Sequence, residues 1–286
     1  VSPLRSLSKY LGGPGAAPPV VAGRNRTRRR LDPSPALRQV PRMSDTPKSA
    51  FDPNPPRRNF YGRRHGKTLR HSQKGYLAED LGDLRPHGIS VQENPERKPI
   101  DPAAIFGDDR RVWLEVGFGG GEHMVHMAAT HPDIGIIGCE PFINGVAMLL
   151  GKIRAAGLGN VSVHPGDARD LMDVLPDGGI DRAFLLYPDP WPKARHHRRR
   201  FVTPEHLLPL ARVLRPGAQF RVATDIPDYV RQALEEVPLA GFDLVRQGAD
   251  PWDDWISTRY EQKALREGRT PHYLTFRRHK AQVRES

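Results

Sequence analysis

The chain has 286 residues, 37% hydrophobic and 7% aromatic, which is long enough for one large α/β domain but too poor in apolar residues for every part of it to pack. The formal charge of +11 points to an anionic partner, and no apolar run approaches the ~18–20 residues that a membrane span needs. The single cysteine, Cys139, excludes an internal disulfide framework and a multi-cysteine zinc site, and fits a reducing cytoplasm.

Residues 1–58 hold 12 lysines and arginines against 3 acids, with 11 of the 29 prolines and four glycines. Few large apolar residues and no periodicity leave too little surface to bury, so the sequence predicts a disordered, basic, proline-rich leader. Its first 31 residues contain no acid and include Arg28-Arg29-Arg30. Mitochondrial transit peptides share that composition, but no amphipathic stripe accompanies it here. The expectation is a dispensable leader with a functional start near Met43. Most of the net charge therefore lies outside the predicted folded body, which holds 32 basic residues against 30 acidic ones.

From Asn59 the texture changes. Tyr76, Leu77, Leu81 and Leu84 fall at helical spacing and predict a short helix, followed by a connector to about Asp109; the predicted layout is thus 1–58, 59–109 and 110–286. Strands are then expected at Val112–Val116, Ile134–Cys139, Val161–His164, Ile180–Leu186 and Gln219–Thr224. Helices near Glu122–Thr130, Asn144–Ala156, Ala168–Val174 and Pro204–Leu214 alternate with them. Such alternation implies right-handed crossovers and a parallel sheet covered on both faces, a doubly wound α/β fold. Leu214-Arg215-Pro216-Gly217 reads as a helix stop and turn. A helix at Tyr229–Val237, a strand at Phe242–Arg246, a loop and a strand at Tyr273–Phe276 complete the chain.

The first strand runs into Gly117-Phe118-Gly119-Gly120-Gly121-Glu122. Glycines at such a turn let the backbone bend sharply and approach a ligand, although Glu122 stands where a dinucleotide fingerprint has its last glycine. Glu140 ends the second strand, where an acid accepts hydrogen bonds from ribose hydroxyls. Asp167, after the third strand, is placed to receive an adenine amine or to cap the next helix. Glu115, just before the glycines, suits a cationic amino group and would repel a pyrophosphate. Together these describe S-adenosylmethionine better than a nicotinamide dinucleotide.

After the fourth strand comes Tyr187-Pro188-Asp189-Pro190-Trp191-Pro192-Lys193. Three prolines in five positions hold Asp189 and Trp191 at the carboxyl end of a central strand, where open α/β sheets bind ligands; an acid beside a large aromatic suits a planar base. Lys193 to Arg200 then brings five formal charges in eight residues without an acid, which reads as nucleic-acid contact. His196 and His197 lack the partners of a metal site, and no metal is expected.

These motifs, with Ala223-Thr224-Asp225 and Thr258-Arg259-Tyr260-Glu261, resemble the bacterial tRNA (guanine-N7-)-methyltransferase family, TrmB, over about Phe60 to Arg277. Phe60-Tyr61-Gly62-Arg63-Arg64 is similar to a short basic segment that precedes the domain in some members. Tyr187 stands where phenylalanine is common, and the leader has no counterpart. The resemblance implies a Rossmann-like class I methyltransferase fold, a mostly parallel seven-stranded sheet with the last strand antiparallel. It implies methyl transfer from S-adenosylmethionine to N7 of the variable-loop guanine, position 46, of tRNA, in the cytoplasm. Glu115, Gly117, Gly119, Glu140, Asp167 and Asp189 then correspond to cofactor-site positions, with Asp189 the catalytic residue. Lys193, Asp225, Thr258, Arg259, Tyr260 and Glu261 correspond to substrate-binding positions, and Arg195, His196, His197, Arg198, Arg199 and Arg200 to an RNA-contact segment. The alternatives are a class I methyltransferase with another substrate, an NAD-dependent oxidoreductase, which Glu115 and the missing glycine disfavour, and a non-catalytic RNA-binding protein on the same fold. The sequence does not separate a monomer from a homodimer.

Overall fold

Uncharged runs of valine, isoleucine and leucine make strands buried on both faces, and the chain uses them so. The computed structural model describes residues 59–280; the leader and start-site readings fall outside the described residues. Helices α1 (His71–Glu79) and α2 (Leu81–Leu84) lead to β1 (Arg111–Val116), α3 (Glu122–Thr130), β2 (Ile134–Cys139), α4 (Ile143–Ala156) and β3 (Val161–His164). There follow α5 (Ala168–Met172), β4 (Ile180–Leu186), α6 (Pro204–Val213), β5 (Leu214–Thr224), α7 (Pro227–Leu239), β6 (Phe242–Gly248), α8 (Arg259–Arg266) and β7 (His272–Arg278).

The described strands form one sheet in the order β3-β2-β1-β4-β5-β7-β6. Strands β1 to β5 pair in parallel, and β7 lies antiparallel between β5 and β6. This is the expected doubly wound sheet with an antiparallel final strand. Two apolar layers cover it. On one face α3 and α4 pack Met124, Met127, Val146, Leu149 and Leu150 against the sheet, and α1 and α2 add Tyr76, Leu77, Leu81 and Leu84. On the other, α5, α6 and α7 contribute Leu171, Leu207, Leu210, Tyr229 and Ala233. Each large side chain so buried is worth about 1.5–3 kcal/mol. The chain winds outward from β1 to β3 and then returns to place β4 beside β1. At that reversal the crossovers diverge and leave a crevice at the strands' carboxyl ends.

Two stretches differ from the sequence reading. Leu214 already pairs with Ile180, so β5 starts where a turn was expected; the next pair is Arg182 with Gln219, and the intervening residues bulge from the ladder. Pro216 has no N–H to give and Gly217 takes φ +82°, so the turn chemistry is present but sits inside a strand. The second is α8, in place of a loop. Its buried positions are Glu261 and Ala264, which give no apolar stripe to read. The legible signal was Thr258-x-x-Glu261, a helix-start pattern, and the Glu261 N–H does donate to Thr258 Oγ1 (3.3 Å).

One buried amide ties α3 to the sheet. Asn160 Nδ2 donates to the carbonyls of Ala128 (3.0 Å), His131 (3.1 Å) and Ile134 (2.9 Å). Replacing Asn160 with Ala removes these bonds, two of them to buried carbonyls, and is expected to cost about 2 kcal/mol, read as a lower urea midpoint at unchanged m-value.

Candidate active site

Gly117 and Gly119 turn the chain out of β1 with φ of +71° and +56°, the left-handed region that disfavours a Cβ. A Cβ on Gly117 would meet nothing within 4 Å; the space in front of it is the crevice. Behind the loop the fit is tight. Gly145 lies in the first turn of α4, and an added Cβ there would collide with the Gly119 carbonyl oxygen. Glu140 fixes the same region: its Oε2 accepts the Gly119 N–H (2.8 Å) and its Oε1 the Phe142 N–H (2.9 Å). Burial pushes the Glu140 carboxyl up to about 6, against the two amide bonds and with the Asp189 and Glu115 charges adding to the rise.

The crevice is about 360 Å³, within the range of small-molecule sites. Gly117, Gly119, Glu140, Asp167, Asp189 and Tyr260 line it together with Asn59 to Arg63. That lead-in segment is strapped over the crevice. Arg169 Nη2 donates to the Asn59 carbonyl (3.1 Å), Ile143 N–H to the Arg64 carbonyl (3.0 Å), and the Asn144 amide bonds Gly66 N–H (2.8 Å) and the Lys67 carbonyl (2.7 Å). Asp167 caps α5 through the Arg169 N–H (2.9 Å) and pairs with the Arg169 guanidinium (2.6 Å). Burial opposes its charge, but the Arg169 bonds outweigh it and hold the carboxyl below the usual range.

Asp189 stands at the mouth, accessible to solvent, yet enough protein surrounds it that desolvation raises its pKa, with Arg63 opposing the shift. Beside it the Arg199 guanidinium lies between the Tyr61 ring (4.8 Å) and the Trp191 ring (5.0 Å), a double cation–π contact. Lys193, Arg195 and Arg198 are exposed around a 3₁₀ turn, Ala194–Arg199, and His196 sets its edge on Trp191 (5.9 Å).

Several expected residues are placed elsewhere. Glu115 does not line the crevice: it is buried beneath the loop, 2.7 Å from His123 Nδ1. Arg200 is no RNA contact, because its side chain is 0% exposed and bonded within the protein. Glu261 is buried, accepting from Trp255 Nε1 (3.1 Å) and the Tyr273 hydroxyl, and Thr258 is the buried cap of α8. Asp225 pairs with Arg269 (2.6 Å) and His197 with Asp228 (3.1 Å). Arg259 pairs with Glu122, whereas Tyr260 stays at the crevice, packed over Gly119. Sequence reasoning missed Gly145, Asn144 and Arg169; each acts through a non-local contact that residue type does not announce. Among the described residues no group of three His, Cys, Asp or Glu is placed to hold a metal.

The open face of Gly117, the acid at the end of β2 and Asp167 beyond β3 fit an adenosine-bearing, cationic cofactor such as S-adenosylmethionine. Residues 109–274 match a family described as "Putative methyltransferase". The tRNA (guanine-N(7)-)-methyltransferase of Paracoccus denitrificans is 85% identical over 230 residues, 80% of this chain and 99% of that protein. The protein of the same name from Cereibacter sphaeroides is 75% identical over 221 residues, 77% of this chain and 91% of its own. Among solved structures, the 16S rRNA methyltransferase KamB is similar with a TM-score of 0.45 at 20% identity, covering 59% of this chain and 88% of that one.

The expected cofactor role of Glu140 carries a pH signature. Its carboxyl titrates near 6, so below that pH it loses the charge that favours a cationic ligand. Calorimetry should show S-adenosylmethionine binding weakening as pH falls through 6, by at most about tenfold per unit, with Glu140→Gln weaker throughout and flatter. Stability runs the other way: a raised carboxyl pKa contributes stability present below the unfolded value and lost as pH rises through 6.

Proposed function

The chain belongs to the tRNA (guanine-N7-)-methyltransferase family and transfers a methyl group from S-adenosylmethionine to N7 of guanine in tRNA; we propose that it does so in the crevice between β1 and β4, on the variable-loop guanine at position 46, in the cytoplasm. The observation that carries this reading is Asp189, on a proline-locked loop just after β4, lining the same crevice as Glu140. No helix among the described residues is long and apolar enough to cross a membrane.

When bound, S-adenosylmethionine supplies an electrophilic methyl on a sulfonium, and guanine N7, with a free lone pair, needs no base to remove a proton first. Glu140 accepts the ribose hydroxyls, using lone pairs that its two amide bonds leave open. Gly117 and Gly119 allow the close approach, and Asp167 receives the adenine amine. Asp189 orients the guanine edge and faces the positive charge that develops on the purine. Because its surroundings already disfavour an unpaired carboxylate, a nearby cation is worth more to it than in open water. Trp191 and Arg199 form the aromatic and cationic lip against which the base is held, with Tyr260 on the glycine side. Lys193, Arg195, Arg198 and Arg199 take phosphates, which give affinity without sequence choice. Most of the rate enhancement is then alignment of N7 with the methyl carbon.

Incubation with S-adenosylmethionine and unmodified tRNA is expected to yield 7-methylguanosine on nucleoside analysis; its absence overturns the reading. Asp189→Asn should lower kcat at least tenfold while cofactor affinity stays within a few-fold. Reversing the charges of Arg195 and Arg198 should weaken tRNA binding and reduce the slope of log K against log[salt] by about two or more; an unchanged slope removes these residues from the interface.

A further inference from the structure

The backbone around Asp189 is one that a chain does not hold unaided. Tyr187 and Trp191 flank it with φ of +49° and +39°, left-handed conformations that cost a non-glycine residue about 1–3 kcal/mol each and persist only where the surroundings over-determine them. The first is held from the sheet, where Tyr187 N–H donates to the Ala223 carbonyl at 2.7 Å. The second is held by Arg200. Its Nε donates to the Pro190 carbonyl (2.9 Å) and its Nη2 reaches toward the Trp191 carbonyl (3.4 Å). On its far side Nη1 donates to Asp228 Oδ2 (2.9 Å) and Gln232 Oε1 (3.0 Å), both on α7. The guanidinium also lies over the buried Tyr229 ring at 5.2 Å.

We propose that Arg200 is a positioning residue for the reaction: a buried brace that carries the rigidity of α7 to the peptide units of Pro190 and Trp191 and so fixes Asp189. It rests on the reading of Asp189 as the group beside the guanine. Only a planar fork of five N–H groups spans two loop carbonyls and two α7 side chains at once; a lysine ammonium brings the same charge to one point. With no exposed side-chain surface, Arg200 offers nothing to a phosphate, although it ends the basic run that contacts one.

The test is Arg200→Lys, with the single-turnover rate at saturating tRNA and S-adenosylmethionine normalised to calorimetrically titrated cofactor sites, so that lost folding does not count. The rate is expected to fall at least tenfold, with cofactor Kd within threefold and the salt slope of tRNA binding unchanged. In an Asp189→Asn background the same change should add little, because it acts through Asp189. A rate within twofold of wild type overturns the brace, and so does a charge-removing Arg200→Met variant whose salt slope of tRNA binding falls by about one while its saturated rate is kept, the signature of a phosphate contact. If Arg200→Lys does not fold, Gln232→Met removes one α7 acceptor; a threefold or greater slowing at saturation supports the brace and full rate overturns it. Wild-type turnover in Asp189→Asn alone sinks the reading of Asp189 instead, and is separable from failure of the brace.

Discussion

The first turn of α4 is pressed so closely on the glycine loop that no side chain fits between them, and the glycine-loop wall of the cleft follows from that contact. Gly145 leaves room for the Gly119 carbonyl. Just before it, Glu140 and Phe142 close a small hydrogen-bonded frame that includes the Gly119 amide. Ile143 and Asn144, in the same turn, hold the strap at Arg64, Gly66 and Lys67. Loop, acid and strap thus share one rigid reference. A helix start suits this task, because its leading N–H groups have no partner within the helix and are free to bind what lies in front of them.

Charge is spent in two ways in this molecule. Some polar and charged groups build the frame: Glu115 hydrogen-bonded to His123 under the loop, Arg169 with Asp167 and Glu205, Arg200 with Asp228. Removing an acid that pairs with Arg169 or Arg200 leaves a buried guanidinium short of a partner, so these arginines are poor at binding anything else. Other groups stand at the mouth with their charge unspent on structure, among them Lys193, Arg195 and Arg198. The overall +11 mixes both kinds with a leader that carries most of the excess. Only the second kind bears on a polyanion.

This division explains how much the sequence could disclose. The parallel strands were legible because a strand buried on both faces needs only apolar residues, and the glycine loop because its conformations need glycine. Helix α8 showed only its Thr258-x-x-Glu261 start, since a carboxylate occupies its inner face and leaves no apolar stripe. Glu115 and Arg200 sit in the right motifs yet turn inward, for a reason no motif contains: the partners that bury them, His123 and the pair Asp228 and Gln232, come from neighbouring helices. The residue type gives the charge. What the charge is spent on is decided by the chain that packs against it, 8 residues away for Glu115 and 28 for Arg200.

What remains unspent has a pattern suited to the reaction. The cleft is acidic within, where Glu140 and Asp189 each hold a carboxyl raised by burial and Asp189 adds to the rise at Glu140. A cation entering there relieves both acids. The rim is basic, and a polyanion approaching it is turned away from the acids and toward the lip. Under the proposed reading, cofactor and tRNA are sorted to different depths by sign, before any shape is matched. Methyl transfer moves a positive charge from the cofactor to the purine, and both acids line the crevice in which the proposed reaction takes place. The two acids are held by different helices, α4 and α7, on opposite faces of the sheet. The pairing of β1 with β4 is the shared scaffold that fixes their separation, and a reaction that works by alignment needs that separation to be constant.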